Sequence, residues 1–278
     1  MPVPSSVLAA WGLDAPVEPL EGGQGTSVRV GALVLKPYAD EDHVAWYAGL
    51  CARTAPSSSF RLPAVVPARD GRLVADGWTA TTFTDCHPVH DDDTAAGSWL
   101  PVLAAGRAFH AAVASEPPPA LLATRTDRWA HADRVGWGEA EATDVGDRSH
   151  PLLDAALALV VDEGLASQLI HGDLSGNVLL GPGLVPTVID VSPYWRPAAY
   201  ADAVDAVDAF LWWRTDLEIL QLAHPPGLGA ASWRSLLARA LVFRLLAFDE
   251  PRREPADVDD QLPRYAELLT LLGPAAPD

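Results

Sequence analysis

The sequence predicts an α+β fold with two lobes, a small β-rich lobe followed by a larger, mainly helical lobe. The first stretch shows short β-branched and apolar runs separated by glycine turns, which is typical of strands. A polar connection follows, and the chain beyond it shows mostly helical spacing. With 278 residues, 49% of them hydrophobic, the chain can form such a bilobal unit. We therefore predict an N-terminal lobe over residues 1–84 and a C-terminal lobe over residues 85–278.

The N-terminal lobe is predicted to contain antiparallel strands and one helix. Valine and leucine residues on both sides of Gly31 predict a hairpin that ends on Lys36, where Pro37 stops the strand. The predicted elements, in order, are a strand at 16–20, a glycine-rich turn at 22–27, the hairpin at 27–36, a helix at 41–53 and an antiparallel pair at 71–83.

The C-terminal lobe is predicted to be helical apart from one strand–loop–strand insertion at residues 168–191. A polar segment at 84–98 carries the acidic run from Asp91 to Asp93. It is interpreted as the connection between the lobes, and a solvated surface loop is the alternative. Helices are predicted at 97–114, 127–138, 151–167, 198–222, 231–248 and 257–272.

Charge and cysteine content argue against several classes of protein. The 19 basic and 37 acidic residues give a net charge of -18, whereas proteins that bind nucleic acids or anionic membranes need clustered Lys and Arg. Cys51 and Cys86 are too few for a disulfide framework or a four-ligand zinc site. The apolar run at 240–248 is too short to span a membrane and contains Arg244, and the first residues lack a signal-peptide pattern. We expect a soluble cytoplasmic protein that binds neither nucleic acid nor membrane. The sequence does not determine its oligomeric state.

Lys36 stands out because it is the single lysine among the 19 basic residues of the chain. The composition is rich in Ala, Arg, Pro, Val and Asp, which is typical of a high-GC genome that disfavours lysine codons. Arg replaces Lys freely at surface positions, but not where a compact ammonium on a flexible stem is required. Lys36 is therefore a candidate for a chemical role, and a leftover surface lysine is the alternative.

Three polar side chains in the insertion are the strongest functional signal. Asp173 stands in a loop between two apolar runs, Asn177 follows it, and Asp190 ends the second run. Their oxygens are hard ligands suited to Mg²⁺. The glycine-rich turn supplies N–H groups, and Lys36 a charge, for phosphate oxygens. These parts are what phosphoryl transfer requires. The alternative is a loop whose side chains cap their own backbone.

The string HGDLSGNVLL followed by VIDV resembles the aminoglycoside phosphotransferase and choline kinase-like family of the protein-kinase-like fold. VRVGALVLKP and IDVSPYWRP are similar to sequences of an actinobacterial subfamily. The resemblance extends from about Leu20 to the helix that contains Asp208. It implies a bilobal protein-kinase-like fold, ATP and Mg²⁺ as cofactors, and a small-molecule alcohol as the phosphoryl acceptor.

The resemblance also implies a role for each matching residue. Asp173 matches the catalytic aspartate that orients or deprotonates the acceptor hydroxyl, and Asn177 and Asp190 match two metal ligands. Lys36 matches the phosphate-binding lysine at the end of the third strand. The backbone from Thr82 to Thr84 matches the inter-lobe segment that holds adenine. The candidate phosphate-binding residues of the glycine-rich turn are Gly23, Gly25, Thr26 and Ser27.

Two features depart from the family pattern. Three residues separate Asp173 from Asn177 where the family has four, so we expect an altered geometry at Asn177. The family also carries an acidic partner for the lysine inside the next helix, but residues 43–54 contain no Asp or Glu. Glu41 or Asp42 remains, and each is also favourable as a charge at a helix N-terminus. A weak or inactive kinase-like binding module is therefore the alternative function.

Residues around the loop are predicted to support it. His171 is expected to brace the loop through its ring nitrogens rather than to act as a base. One aspartate of the following helix is expected to support the loop from beneath, and at least two to face solvent. Trp195 and Arg196 either shape the acceptor pocket or pack under the next helix. The candidate aspartates are Asp202, Asp205 and Asp208.

The function predicted from these residues is an ATP- and Mg²⁺-dependent phosphotransferase that acts on a hydroxyl of a small molecule. The acceptor is an aminoglycoside, an amino sugar, a sugar or an amino alcohol, and the acidic charge balance is compatible with a cationic one. A metal-dependent hydrolase is disfavoured, because the sequence shows no His and Asp cluster with metal-ligand spacing.

Overall fold

The small lobe is built around an antiparallel sheet of five strands. The structure, a computed structural model, describes residues 3–20, 25–38, 40–89, 93–162, 164–249, 251 and 255–273. The strands are β1 (Val17–Pro19), β2 (Val28–Val30), β3 (Leu33–Pro37), β4 (Val74–Ala75) and β5 (Trp78–Thr82). Their order in the sheet is β1-β2-β3-β5-β4. The predicted strands and hairpin are therefore confirmed.

One face of this sheet is covered by a helix that was not predicted from the sequence, α1 (Ser5–Trp11). It is only seven residues long and ends at Gly12, which adopts a φ of 65°. Trp11 lies in the small-lobe core with Val30 and Leu35, and its indole N–H donates to the Val66 carbonyl at 2.8 Å. So short an apolar run carries too little periodicity to be recognised in the sequence.

The helix predicted after the hairpin is confirmed as α2 (Glu41–Arg53). Asp40 caps it, because its carboxylate accepts the N–H of His43 at 3.0 Å. Leu50 of this helix and Phe60 beyond it are buried in the core of the large lobe rather than in that of the small lobe. The N-terminal stretch therefore packs into both lobes.

Two short β-bridges also tie the lobes together. Arg61 pairs with Thr187 of the large lobe. In the polar connection, His87 and Leu180 exchange backbone hydrogen bonds of 2.8 and 2.7 Å. The connection therefore runs along the junction of the lobes, although residues 90–92 of it lie outside the described part. The boundary at residue 84 stays a prediction.

The large lobe is mainly helical, and its two most buried helices pack on each other. These two helices are α6 (Ala198–Leu211) and α8 (Ala230–Ala247). The helices are α3 (Leu100–Ala112), α4 (Arg128–Gly136), α5 (His150–Leu157), α6 (Ala198–Leu211), α7 (Ile219–Leu222), α8 (Ala230–Ala247) and α9 (Pro255–Leu272), with 3₁₀ turns at Ala96–Trp99 and Ala120–Ala123. Within the residues described, no helix is both long and apolar enough to cross a bilayer.

Two predicted helices are shorter in the structure. α5 ends at Leu157, well before its predicted end, and the N–H of Val161 donates to the Ser235 hydroxyl at 2.9 Å instead of within a helix. The next predicted helix breaks after Leu211, because Arg214 adopts a φ of 53° that an α-helix cannot contain. The chain then starts again as the short helix α7.

The insertion forms two nested β-ladders that present two loops at one edge. Loop 172–177 connects the first two strands of the insertion, and loop 189–192 connects the last two. Because the outer strands pair with each other and the inner strands do likewise, the two loops lie side by side. The strands are β6 (Gln168–His171), β7 (Val178–Leu179), β8 (Thr187–Val188) and β9 (Pro193–Arg196), with β6 paired to β9 and β7 to β8.

Candidate active site

Loop 172–177 closes as a tight turn that brings Asn177 against Asp173. The Asn177 N–H donates to the Leu174 carbonyl at 2.8 Å, and Gly176 adopts a φ of 76°. The side-chain nitrogen Nδ2 of Asn177 donates to the Asp173 carbonyl at 2.8 Å and to its carboxylate Oδ2 at 3.2 Å. The hydrogen bond from Asn177 Nδ2 to the Asp173 carbonyl is the kind of contact that the alternative interpretation predicts, in which loop side chains cap their own backbone. Both contacts use the amide nitrogen, and within the described part of the chain no side chain or backbone group bonds to the amide oxygen.

Asp190 occupies an unusual backbone position beside Asn177. Its φ is 48°, which lies in the left-handed region. This conformation is energetically unfavourable for residues other than glycine, and such residues cluster at functional sites. The preceding Ile189 N–H donates to the Asn177 carbonyl at 2.9 Å, which joins the two loops. The predicted metal ligands therefore lie on neighbouring backbones. A carboxylate and an amide oxygen fit the ligand preference of Mg²⁺.

Lys36 reaches across from the small lobe to Asp190. The distance from its Nζ to Asp190 Oδ2 is 2.5 Å, and the two side chains are 31% and 47% exposed. An exposed ion pair contributes little to stability, so the folded state has no strong need of it. The pair instead places the single ammonium of the chain next to the predicted metal ligand, on an open surface.

Three predicted phosphate-binding residues lie in the turn between β1 and β2, namely Gly25, Thr26 and Ser27. The Leu20 N–H donates to the Ser27 carbonyl at 3.1 Å, and Gly25 adopts a φ of 65°. The register of β2 with β3 places this turn at the same end of the sheet as Lys36. Gly23 lies outside the described residues, so its role stays a prediction.

The predicted adenine segment begins at the far end of the same strands. In the register of β3 with β5, Thr82 lies three residues beyond the partner of Lys36. That spacing corresponds to about 10 Å along the strand. The Thr82 N–H donates to the Ala64 carbonyl at 3.0 Å, and the Thr84 carbonyl accepts the Cys86 N–H at 2.9 Å. A role of Thr82 and Thr84 in holding adenine stays a prediction.

In α2, a histidine rather than an acid contacts loop 189–192. His43 Nε2 donates to the Val191 carbonyl at 3.1 Å, and its Nδ1 accepts the Tyr38 hydroxyl at 3.1 Å. Burial lowers the pKa of His43, which keeps the ring neutral and suits this donor–acceptor pattern. Glu41 and Asp42 are exposed in the first turn of the helix. The carboxylate that aligns Lys36 is thus Asp190.

Solved structures that resemble this chain identify its fold. No protein-family model matches the chain, and no curated protein matches its sequence. An aminoglycoside phosphotransferase from Alicyclobacillus acidocaldarius matches 98% of this chain and 96% of its own, with a TM-score of 0.63 at 16% identity. The chain has the aminoglycoside phosphotransferase fold. The predicted bilobal protein-kinase-like fold is therefore confirmed.

Two further solved structures with this fold are those of a small-molecule kinase and of a phosphotransferase. A microcompartment-associated aminopropanol kinase is 19% identical, with a TM-score of 0.62 over 96% of this chain and 94% of its own. A spectinomycin phosphotransferase, solved with ADP and spectinomycin, is 14% identical, with a TM-score of 0.58 over 96% of this chain and 95% of its own. At this identity the likeness concerns the fold.

Beneath Asp173 in this aminoglycoside phosphotransferase fold lies a buried arginine that was not predicted as a site residue. Arg244 of α8 donates to Asp173 Oδ1 at 2.7 Å and to Asp208 Oδ1 at 2.6 Å. Burial alone would lower the pKa of Arg244, but the Asp208 and Asp173 carboxylates raise it above its ordinary value. The signal was a charge inside an apolar helix, since buried charges are paired or functional.

The aspartates of α6 are all buried, so the expectation that at least two of them face solvent is wrong. Each has a partner that lies far away in the sequence. Asp205 supports loop 172–177 directly, because Ser175 belongs to that loop. Burial raises the pKa of Asp205 well above its ordinary value, and the Ser175 hydroxyl opposes that rise. The pairs are Asp202 with Arg107 at 3.0 Å, Asp205 with Ser175 at 2.9 Å, and Asp208 with Arg244.

His171 braces both loops, as predicted. Its Nδ1 accepts the Asp173 N–H at 3.1 Å, and its Nε2 donates to the Ile189 carbonyl at 3.0 Å. The His171 N–H donates in turn to the ring of His110 at 3.1 Å. Burial lowers the pKa of His171, and burial together with the neighbouring His171 lowers that of His110 to about 3. Both rings are therefore neutral supports of the loops.

Arg196 packs against α4, and together with Trp195 and Tyr194 it also lines a cavity. Its guanidinium pairs with Asp133 and Glu139, each at 2.6 Å, and stacks on the Trp137 ring at 4.9 Å. Trp195 is partly buried against the large-lobe core. Arg196 thus packs against an earlier helix rather than under the next one, and a role of Trp195 and Arg196 in the acceptor pocket stays a prediction.

Gly172 is required because Tyr194 approaches the backbone closely. A Cβ on Gly172 would lie 2.4 Å from Tyr194 Cδ2. Tyr194 is buried, and its hydroxyl accepts a hydrogen bond from Arg125 at 3.3 Å, so the ring has little freedom to move. We expect Gly172→Ala to lower the free energy of unfolding by about 1–3 kcal/mol, as measured by urea denaturation.

The matched control is Gly97→Ala, because Gly97 is exposed and a Cβ there would meet open space. That substitution is expected to change the free energy of unfolding by less than about 0.5 kcal/mol. Equal stability of the two variants would contradict the steric explanation for Gly172.

Proposed function

We propose that this protein is an ATP- and Mg²⁺-dependent phosphotransferase that moves the γ-phosphoryl group of ATP to a hydroxyl of a small molecule. The observation that carries the proposal is the Lys36–Asp190 pair at 2.5 Å, because it lies beside the loop that holds Asn177 and Asp173. A phosphate-binding cation, hard oxygen ligands and a catalytic carboxylate then share one open surface. Phosphoryl transfer requires that combination.

The nucleotide is proposed to lie between the glycine-rich turn and the two loops of the large lobe. Lys36 and the N–H groups around Gly25, Thr26 and Ser27 would contact phosphate oxygens. Asp190 and the amide oxygen of Asn177 would hold Mg²⁺, which neutralises charge on the phosphates when bound. The exposed carboxylate of Asp190 supports this assignment, as do the two hydrogen bonds of Asn177 Nδ2, which engage the nitrogen of the amide and not its oxygen.

Asp173 is proposed to position the acceptor hydroxyl and to take its proton. The acceptor oxygen forms a bond to the γ-phosphorus, the bond from that phosphorus to the bridging oxygen breaks, and ADP leaves with the bond electrons. The hydroxyl proton passes to the Asp173 carboxylate and then to solvent. The Asp173 side chain is 44% exposed, which leaves it accessible to an acceptor.

The acceptor is proposed to be a small alcohol with cationic or neutral character, such as an aminoglycoside, an amino sugar, a sugar or an amino alcohol. The net charge of -18 favours a cationic acceptor over an anionic one. Structures with the same fold include an aminopropanol kinase and a spectinomycin phosphotransferase. Aminopropanol and spectinomycin are both small molecules that carry hydroxyl groups.

A screen for ADP release tests this proposal. Purified protein is incubated with MgATP and single acceptors from these four classes, and ADP is measured with a coupled assay. We expect at least one acceptor to raise ADP release above the acceptor-free rate, with one phosphorylated product per ADP. Binding of MgATP without ADP release for any acceptor would favour the alternative, a kinase-like binding module.

A further inference from the structure

Both carboxylate oxygens of Asp173 have a donor on the protein side, although the side chain borders solvent. Arg244 donates to Oδ1 at 2.7 Å, and the Asn177 amide donates to Oδ2 at the longer distance of 3.2 Å. The guanidinium is 4% exposed, whereas the Asp173 side chain is 44% exposed. One oxygen of this carboxylate is therefore held by a buried side chain, while the Asp173 side chain as a whole stays accessible to solvent.

The anchor is itself held rigidly. Arg244 donates through Nε to one oxygen of Asp208 and through its terminal nitrogen to the other, and this fork-shaped contact fixes the plane of the guanidinium. Asp208 lies in α6 and Arg244 in α8, the two central packed helices of the large lobe. The ring of Phe243 lies 4.8 Å from the guanidinium and restricts it further.

Stability alone does not account for the third contact of Arg244. The pair with Asp208 already satisfies the buried carboxylate, and a buried ion pair is weak evidence of a stabilising role. The hydrogen bond to Asp173 reaches out of this pair to an exposed residue, which water could solvate without it. Its effect is to hold the Asp173 side chain in one orientation.

We propose that Arg244, supported by Asp208, is a positioning residue that fixes the Asp173 carboxylate for the acceptor hydroxyl. The inference rests on the proposed function, since Asp173 is the catalytic residue only in a phosphotransferase. With Oδ1 held from beneath, Oδ2 is the oxygen that receives the proton. Buried contacts in the large lobe thereby fix the orientation of a side chain in the surface loop.

The test compares two double variants that each neutralise an ion pair between an arginine and a buried aspartate of α6. Arg244→Gln with Asp208→Asn removes both charges of the proposed anchor together, so no unpaired charge stays buried. Arg107→Gln with Asp202→Asn is the matched control, because Arg107 contacts Asp202 and the Ala223 carbonyl and not the catalytic loop. The probe is MgATP with water as the acceptor, and ADP release is measured alongside crystal structures.

We expect the Arg244 double variant to lose kcat by roughly 10- to 100-fold with the KM for ATP within about twofold of wild type. Its crystal structure should show Asp173 in more than one orientation, whereas the control variant keeps wild-type kinetics and a single orientation. MgATP should still raise the melting temperature of the Arg244 double variant, because Lys36 and Asp190 are unchanged in it.

Three outcomes would overturn the inference. A single, unchanged Asp173 orientation in the Arg244 double variant would show that Arg244 does not position it, and the proposed function would stand. An equal loss of kcat in both double variants would assign the effect to general weakening of α6. A wild-type protein that neither binds nor turns over MgATP would remove the proposed function, and the inference would fall with it.

Discussion

Asp173→Asn is expected to lower kcat by about 10²- to 10⁴-fold and to leave the KM for ATP close to that of wild type. The amide cannot take the proton of the acceptor hydroxyl. Its oxygen still accepts the hydrogen bond that Arg244 donates at 2.7 Å, so the loop should keep its shape. Steady-state ADP release, measured with the best acceptor of the screen, gives both constants.

The matched control for this variant is Asp154→Asn, an exposed aspartate in α5 away from the loop. It should keep wild-type kcat and KM. An Asp173→Asn variant with wild-type kcat would contradict the assignment of Asp173 as the catalytic carboxylate.

Asp190→Asn is expected to abolish the part of nucleotide binding that depends on Mg²⁺ and to lower kcat by about 10³-fold. A metal ion contributes several kcal/mol to the transition state of phosphoryl transfer, and about 4 kcal/mol corresponds to that factor. Replacement of the carboxylate also removes the partner that Lys36 contacts at 2.5 Å. ADP release measured against Mg²⁺ concentration should show a weak, nearly flat response.

The control here is Asp70→Asn, because Asp70 forms another exposed ion pair of the small lobe, with Arg72 at 2.7 Å. Loss of that pair should leave the Mg²⁺ dependence unchanged. If Asp190→Asn kept the wild-type Mg²⁺ dependence, Asp190 would not be a metal ligand.

The parts of the site that follow from local spacing could be predicted from the sequence. Lys36 was recognisable because it is the single lysine among 19 basic residues, and its place at a strand end is confirmed. Asp173, Asn177 and Asp190 were recognisable because apolar strands frame them, and the nested ladders bring their loops together. The short loop had been expected to alter the geometry at Asn177. The loop closes as a tight turn with Gly176 in the left-handed region, and the altered geometry at Asn177 stays a prediction.

The remaining parts depend on contacts between residues far apart in the chain. Arg244 follows Asp173 by 71 residues, and no local pattern links the two. The aspartates of α6 look like a polar face in the sequence, but each is buried because α3, α8 or loop 172–177 supplies its partner. Sequence spacing shows which side of a helix a residue occupies, and only the tertiary packing shows what covers that side.

Thermal unfolding with and without MgATP tests the proposed nucleotide site most directly. A ligand at about 100 times its Kd adds about 2.7 kcal/mol to the folded state, which should raise the melting temperature of a chain of this size by several degrees. We expect a magnesium-dependent rise in the wild type that Lys36→Ala and Asp190→Asn both abolish. No rise in the wild type at millimolar MgATP would contradict the assignment of this protein as a kinase.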